Sequence, residues 1–229
     1  MRYALIIAAG KQSRFKDELP KALAKVHGTC ILDINIGHFK KYSDEVYVVC
    51  SYENEKYFLA YPHLTIHSGF GSGDAVLKAL QMLPLKLGDT CFIAWGDSVQ
   101  EEKLYKDVVD AYDGRIVVPC NKEMKPYVQI IEDKPSLIVH FSKFGESISE
   151  GYHDLSLFYG NANKMKDALL KMHEKYWKED HYAHKHGDEL EFLDIFNDMK
   201  IDAFILDMKG IKSYSFNTLE DLENINRSL

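Results

Sequence analysis

The sequence predicts a three-layer α/β/α domain on a mainly parallel mixed sheet, and three observations point to it. Apolar runs of strand length alternate along the chain with amphipathic stretches of helical period. Several of those runs, such as 3–9 and 90–95, are almost wholly apolar, as strands covered on both faces must be. The chain has 229 residues and is 46% hydrophobic, enough for one large core with a small lobe.

The elements follow in order. A first strand at 3–9 breaks at Gly10, and further strands are expected at 45–50, 64–67, 90–95 and 115–119. Between them, 31–42 (Ile31, Ile34, Ile36, Phe39) and 73–83 (Ala75, Val76, Leu77, Leu80, Met82) have the spacing of amphipathic helices, and 101–112 makes a third. From 126 to 159 the pattern changes to short β-rich runs at 127–131, 136–141 and 155–159. A strong helix at 161–177, a polar His-rich loop at 178–188 and a helix at 189–199 come next. Strands at 203–207 and 211–215 and a helix from Thr218 complete the chain. The change near residue 122 divides one domain, 1–229, into halves 1–121 and 122–229, the second carrying an insertion on one edge of the first.

Composition narrows the function. A net charge of −7 argues against a broad nucleic-acid footprint, so any anion must be met by locally placed cations. The four cysteines, Cys30, Cys50, Cys91 and Cys120, form no CxxC pair and read as reduced residues of a cytoplasmic protein. No run approaches the roughly 20 apolar residues of a membrane span, and the N-terminus does not read as a signal peptide. The sequence leaves the oligomeric state open; a homodimer is compatible with it.

Three cations gather where the first strand ends. Ala8, Ala9 and Gly10 run into Lys11 and Arg14, and Lys21 follows Pro20. Glycine lets backbone N–H groups approach phosphate oxygens, while Lys and Arg offset their charge, so this is a place to hold a polyphosphate. A second glycine-rich turn, 69–76, opens a helix with Gly71, Ser72 and Gly73 and offers close approach to a base or ribose; a helix start capped by Ser72 or Asp74 is the alternative. Neither turn fits the P-loop or a strict GxGxxG. The strand at 91–95 delivers Asp97 to the sheet edge where ligands of open α/β sheets lie; beside a polyphosphate, such a carboxylate calls for a bridging Mg²⁺, and a turn aspartate bonded to its own backbone is the alternative. Asn217 and Thr218 precede Glu220 and Asp221, which suits either a helix cap or a second metal contact. His181, His184 and His186 read as solvated loop histidines, and Tyr176, Trp177, Tyr182 and Phe192 as packing residues.

These segments together resemble the nucleotidyltransferase superfamily, with its Rossmann-like fold, that makes nucleotide-activated sugars and alcohols. The match is nearest to the uridylyltransferase domain of N-acetylglucosamine-1-phosphate uridylyltransferase, with kinship to choline-phosphate cytidylyltransferases. It rests on 8–15 followed by 17–23, although Gln12 stands where glycine is usual, and on 71–76, Gly96-Asp97 and 216–218. The resemblance implies an NTP-binding half at 1–121 and an acceptor-binding half at 122–229. It implies catalytic Arg14 and Lys21, nucleotide contacts at Ala8, Ala9, Gly10, Lys11, Gly71 and Ser72, and Mg²⁺ on Asp97 and Asn217. The implied reaction moves an NMP from an NTP to the phosphate of a small acceptor for cell-surface polysaccharide, with release of pyrophosphate. The uracil-reading glutamine has no counterpart in 65–69, and the sugar-contacting residues have none in 126–129, 141–143 or 153–156. CTP is therefore expected ahead of UTP, with Tyr127 and Asp154 meeting a hydroxyl or cationic group of a non-hexosamine acceptor. The alternatives are a UTP-dependent sugar-1-phosphate uridylyltransferase, a molybdenum-cofactor guanylyltransferase, and a nucleotide-binding protein without turnover.

Overall fold

The structure is a computed structural model that describes residues 1–10, 15, 19–67, 69–146, 148–185, 187–211 and 213–228. Ten strands form its central sheet: β1 (Arg2–Ile7), β2 (Glu45–Ser51), β3 (His63–Ile66), β4 (Thr90–Trp95), β5 (Ile116–Met124), β6 (Val128–Asp133), β7 (Ser136–Phe141), β8 (Glu150–Asp154), β9 (Leu157–Asn161) and β10 (Ala203–Asp207). The order is β7-β6-β8-β5-β9-β4-β1-β2-β3, with β10 beside β5. β1 pairs in parallel with both β2 and β4, and β2 with β3, whereas β9 runs antiparallel between β4 and β5. The chain thus walks from β1 to β2 and β3, then returns to the other side of β1 for β4. That reversal opens a crevice beyond the carboxyl ends of β1 and β4.

Alternation of side chains sets the two faces. Tyr3, Leu5, Cys91 and Ile93 point to one core, covered by α2 (Ser72–Met82), α4 (Ala162–Tyr176) and α5 (Asp194–Met199). Ala4, Ile6, Phe92 and Ala94 point to the other, under α1 (Ile31–Phe39) and α3 (Glu102–Asp110). Two covered faces explain why these strands read as continuous apolar runs. A third cluster, Phe15, Val26, Ile31, Phe216 and Ile225, fastens α6 (Leu219–Ser228) to the N-terminal segment, with the Phe15 and Phe216 rings 5.6 Å apart.

β5 runs through the expected change of pattern. Its first residues pair with β10 and β9, and its last five, Cys120 to Met124, pair with β8, so the β-rich arm of β6, β7 and β8 continues the main sheet. The polar, Gly-containing β8 was not expected from the sequence.

Two expectations are corrected. The 178–188 stretch is a hairpin, Trp177–Lys178 with His181–Tyr182, and the His184 side chain is 1% exposed. Its Nε2 lies 2.8 Å from Asp198 Oδ2 and its Nδ1 3.5 Å from Asp194 Oδ2, with Tyr176 edge-on to the ring. The polarity that suggested solvent is consumed inside this cluster. His181 is half exposed beside Asp180, and His186 lies outside the described residues. Helix was expected over 189–199 but starts at Asp194: the Leu190 carbonyl, which a helix would bond to Asp194 N, accepts from Gly73 N (2.7 Å), while Leu190 N donates to Phe70 O (2.8 Å).

Candidate active site

Three chain segments converge beyond the ends of β1 and β4. Gly96 N donates to Ile7 O (2.9 Å), and a Cβ on Gly96 would stand 3.0 Å from that oxygen and 3.3 Å from the β-carbons of Ala8 and Ala22. Glycine there lets the tip of β4 lie against both the first loop and the Lys21 turn. That turn, Lys21–Leu23, is a single 3-10 turn after Pro20, closed by Leu23 N donating to Pro20 O and Ala24 N to Lys21 O. Ala22 is buried, so Lys21 is held over the crevice and not left on a free loop.

Lys21 Nζ lies 3.4 Å from Asp97 Oδ2 and 3.2 Å from Asn217 Oδ1. Positions 76 and 196 residues away from Lys21 thus meet at one ammonium. Asn217 arrives through a short antiparallel pair, Ser98–Gln100 with Ser213–Ser215, whose register sets Ser215 opposite Ser98; Phe216 N then donates to Asp97 O. Asp221 fixes the Asn217 backbone: its Oδ2 accepts from Asn217 N and Thr218 N, both at 2.9 Å, and its own N–H donates to Thr218 Oγ1. This is a capping box, and those backbone N–H donors hold the Asp221 carboxyl below the usual carboxylate range. The residue 217–218 segment therefore serves both as helix start and as a contact in the crevice.

The crevice has a volume of about 820 Å³ and is lined by Ala8, Ala9 and Gly10 on one side and by Gly71 and Ser72 on another. Tyr127 and Asp154 also line it, with Glu123, His153, Glu189 and Tyr214. Asp154 Oδ1 accepts from Ser156 N (2.9 Å), which sits in the left-handed region, and burial pushes its carboxyl up. The structure thus brings Ala8, Ala9, Gly10, Lys21, Gly71, Ser72, Asp97, Tyr127, Asp154 and Asn217 to one cavity. Lys11 and Arg14 lie outside the described residues.

The second glycine turn opens α2 and lines the cavity, and its glycines also meet another chain segment. Gly71 has φ +95°, and a Cβ there would come within 2.8 Å of Leu190 N and closer still to its carbonyl oxygen. The glycines of this turn therefore admit the backbone of Leu190. Ser72 Oγ donates to Glu191 Oε2 (2.9 Å) and accepts from Phe192 N (2.9 Å). Glu191 and Lys143 were not anticipated as cavity residues. No periodicity marks a residue that arrives on a loop from the far end of the chain.

Asp97 and Asn217 offer a carboxylate and an amide oxygen, the hard donors a divalent ion prefers, and both face the same cation position now met by Lys21. This donor set fits Mg²⁺ completed by phosphate oxygens and water. Among the described residues no cluster of three His, Cys, Asp or Glu could hold a metal without such help.

A lysine, a carboxylate and an amide oxygen thus meet at the switch point of a mainly parallel α/β sheet, where such sheets hold their ligands. The chain belongs to the family described as the MobA-like NTP transferase domain, whose model matches residues 4–172, and it is a nucleotidyltransferase. No curated protein matches its sequence significantly. Among solved structures it is similar to a CTP:phosphocholine cytidylyltransferase from Streptococcus pneumoniae at 13% identity and TM-score 0.74, covering 99% of this chain and 98% of that one. It is similar to a putative glucose-1-phosphate thymidylyltransferase from Bacillus anthracis at 14% and 0.76, covering 100% and 95%. An inositol-1-phosphate CTP transferase from T. maritima aligns at 12% and 0.70, covering 100% and 98%. At these identities the likeness bears on the fold. No helix among the described residues is long and apolar enough to cross a membrane.

Proposed function

We propose that this enzyme transfers CMP from CTP to the phosphate of a small phosphorylated acceptor, releasing pyrophosphate and giving a nucleotide-activated precursor for cell-surface polysaccharide or its decoration. The observation that carries the reading is the convergence of Lys21, Asp97 and Asn217 at the switch point. A phosphate monoester is already a nucleophile, so no Ser-His-Asp triad is required. The protein's work is to bring two polyanions into line and to offset the charge that builds between them.

In this mechanism an oxygen of the acceptor phosphate attacks the α-phosphorus. The bond from that phosphorus to the bridging oxygen breaks, and the electron pair leaves with pyrophosphate. Lys21 contacts the α-phosphate and the attacking oxygen, while Arg14, on its sequence position, steadies the β- and γ-phosphates. Lys11 and the backbone of Ala8, Ala9 and Gly10 flank the triphosphate, and Gly71 and Ser72 the base and ribose. Asp97 and Asn217 would hold Mg²⁺, whose chemistry is to neutralise phosphate charge.

Carboxylates that line the crevice, Glu123, Asp154 and Glu189, suit an acceptor that donates hydrogen bonds or carries positive charge away from its phosphate. A cation beside Asp154 would also pull down a carboxyl that burial now pushes up. Tyr127 adds an aromatic surface, and CTP is favoured by the cytidylyltransferases among the similar folds.

The test is pyrophosphate release with Mg²⁺, each of the four NTPs, and phosphocholine, phosphoethanolamine and sugar 1-phosphates as acceptors. Release is expected with CTP and a small acceptor. Silence from every pair would leave a nucleotide-binding protein without turnover.

A further inference from the structure

Glu191 touches both halves of the crevice. Its Oε2 accepts from Ser72 Oγ at the start of α2, and its Oε1 pairs with the Lys143 ammonium on the turn that follows β7. The Glu191 side chain is 13% exposed and that of Lys143 29%, so the pair is shielded more than a surface ion pair. Both side chains, with Ser72, line the cavity.

The anchor of Glu191 is rigid. Residues 190–192 are clasped to the 70–73 turn by Gly73 N donating to Leu190 O, Leu190 N to Phe70 O, and Phe192 N to Ser72 Oγ. The β-rich arm is in turn fastened to α5, where Asn197 exchanges two hydrogen bonds of 2.9 Å with the Val139 backbone. One carboxylate therefore joins the 70–73 turn to the β-rich arm, its backbone held and its side chain left to answer to Ser72 and Lys143.

We propose that Glu191 is a positioning residue that couples the two substrate sites through a Ser72–Glu191–Lys143 relay. The inference rests on the nucleotidyl-transfer reading, since it takes Ser72 to be on the nucleotide side and the arm to hold the acceptor. Engagement of the nucleotide turn fixes Ser72, which orients Glu191, which in turn fixes the Lys143 ammonium at the acceptor end. By reciprocity, an acceptor that draws on Lys143 acts back on the nucleotide turn by the same factor. Couplings of this kind are commonly about 5- to 150-fold.

The test is a two-substrate initial-rate grid on the full-length protein, with CTP, Mg²⁺ and the acceptors named above. It compares the wild type with Glu191→Gln, Lys143→Met, the double variant and the charge-keeping Lys143→Arg. In the wild type each substrate should lower the dissociation constant of the other by at least about fivefold. In Glu191→Gln and in Lys143→Met that factor should fall to near one, the double variant should lose no more than either single, and Lys143→Arg should restore part of it. A merely structural role would lower the melting temperature or kcat and leave the coupling factor intact. An uncoupled wild type, single variants that retain the factor, or losses that add in the double variant would each overturn the relay while transfer itself stood. No release by the wild type from any pair would remove the transfer reading, and the relay with it.

Discussion

Lys21 faces two oxygen ligands at once, Asp97 Oδ2 at 3.4 Å and Asn217 Oδ1 at 3.2 Å, and its side chain is only 11% exposed. In this arrangement the ammonium is aimed into the crevice before any substrate arrives, which is what preorganised charge stabilisation requires. Removing one such contact with developing charge costs roughly 3–4 kcal/mol of barrier, or about a hundredfold or more in rate. Lys21→Ala and Asp97→Ala should each cut turnover at least about a hundredfold. Their folding should change little, because a partly exposed pair contributes at most about 1 kcal/mol, less than about 4 °C in Tm for a chain of this size. Steady-state kinetics beside a melting curve decide it, and near-normal turnover in either folded variant removes that residue from the mechanism. The motif at 8–23 made Lys21 readable from sequence, as the apolar strand before Gly96 did Asp97. Glu191 was hidden for a physical reason: its role depends on a backbone clasp between segments about 120 residues apart, which no local pattern encodes.

The turn before α2 shows how one sequence signal admits two structures. A glycine run at a helix start says that something approaches the backbone closely, and it does not say what. Here the visitor includes Leu190, whose backbone occupies the space a Gly71 side chain would need. Gly71→Ala adds a left-handed backbone conformation, costing about 1–2 kcal/mol, to a clash with main chain that cannot swing away. A loss of at least about 2 kcal/mol is expected, which corresponds to roughly 4–8 °C in Tm. An unchanged melting temperature would show that the 190–192 clasp does not form. The same clasp explains why helix fails over 189–193 despite favourable residues: the Leu190 carbonyl, which a helix would bond to Asp194 N, accepts from Gly73 N, and Asp194 N donates to Glu191 O instead. His184 makes a parallel point. Its neighbours in sequence are polar, yet Asp194 and Asp198 come from α5 to meet it, so burial was decided by tertiary pairing and not by local composition. The strands and long helices were readable because hydrophobic period fixes them locally, whereas the 178–193 stretch is shaped by partners distant in the chain.

At the scale of the whole molecule, a chain of net charge −7 must, on the proposed reading, hold a triphosphate and a phosphorylated acceptor side by side. Long-range charge opposes both, and screening over about 10 Å at 0.1 M salt confines the useful cations to those placed by the fold at the crevice. The sheet order supplies that placement, since β1 and β4 end side by side at the switch point and carry Gly10 and Asp97 to one cavity. On the proposed reading a bound nucleotide meets the Lys21 turn, the Asp97 tip and the segment before α6 together, and a ligand that binds the folded state alone should stabilise it. A ligand at about 100 times its Kd adds roughly 2.7 kcal/mol, or about 5–10 °C in Tm for a protein of this length. With Mg²⁺ present, CTP is expected to give the largest upward shift of the four NTPs, and Lys21→Ala should reduce it. A larger shift with UTP would move the base assignment to a uridylyltransferase, and a GTP-selective shift to a guanylyltransferase. Absence of a shift with every NTP at millimolar concentration would mean that the convergence of Lys21, Asp97 and Asn217 does not hold a triphosphate.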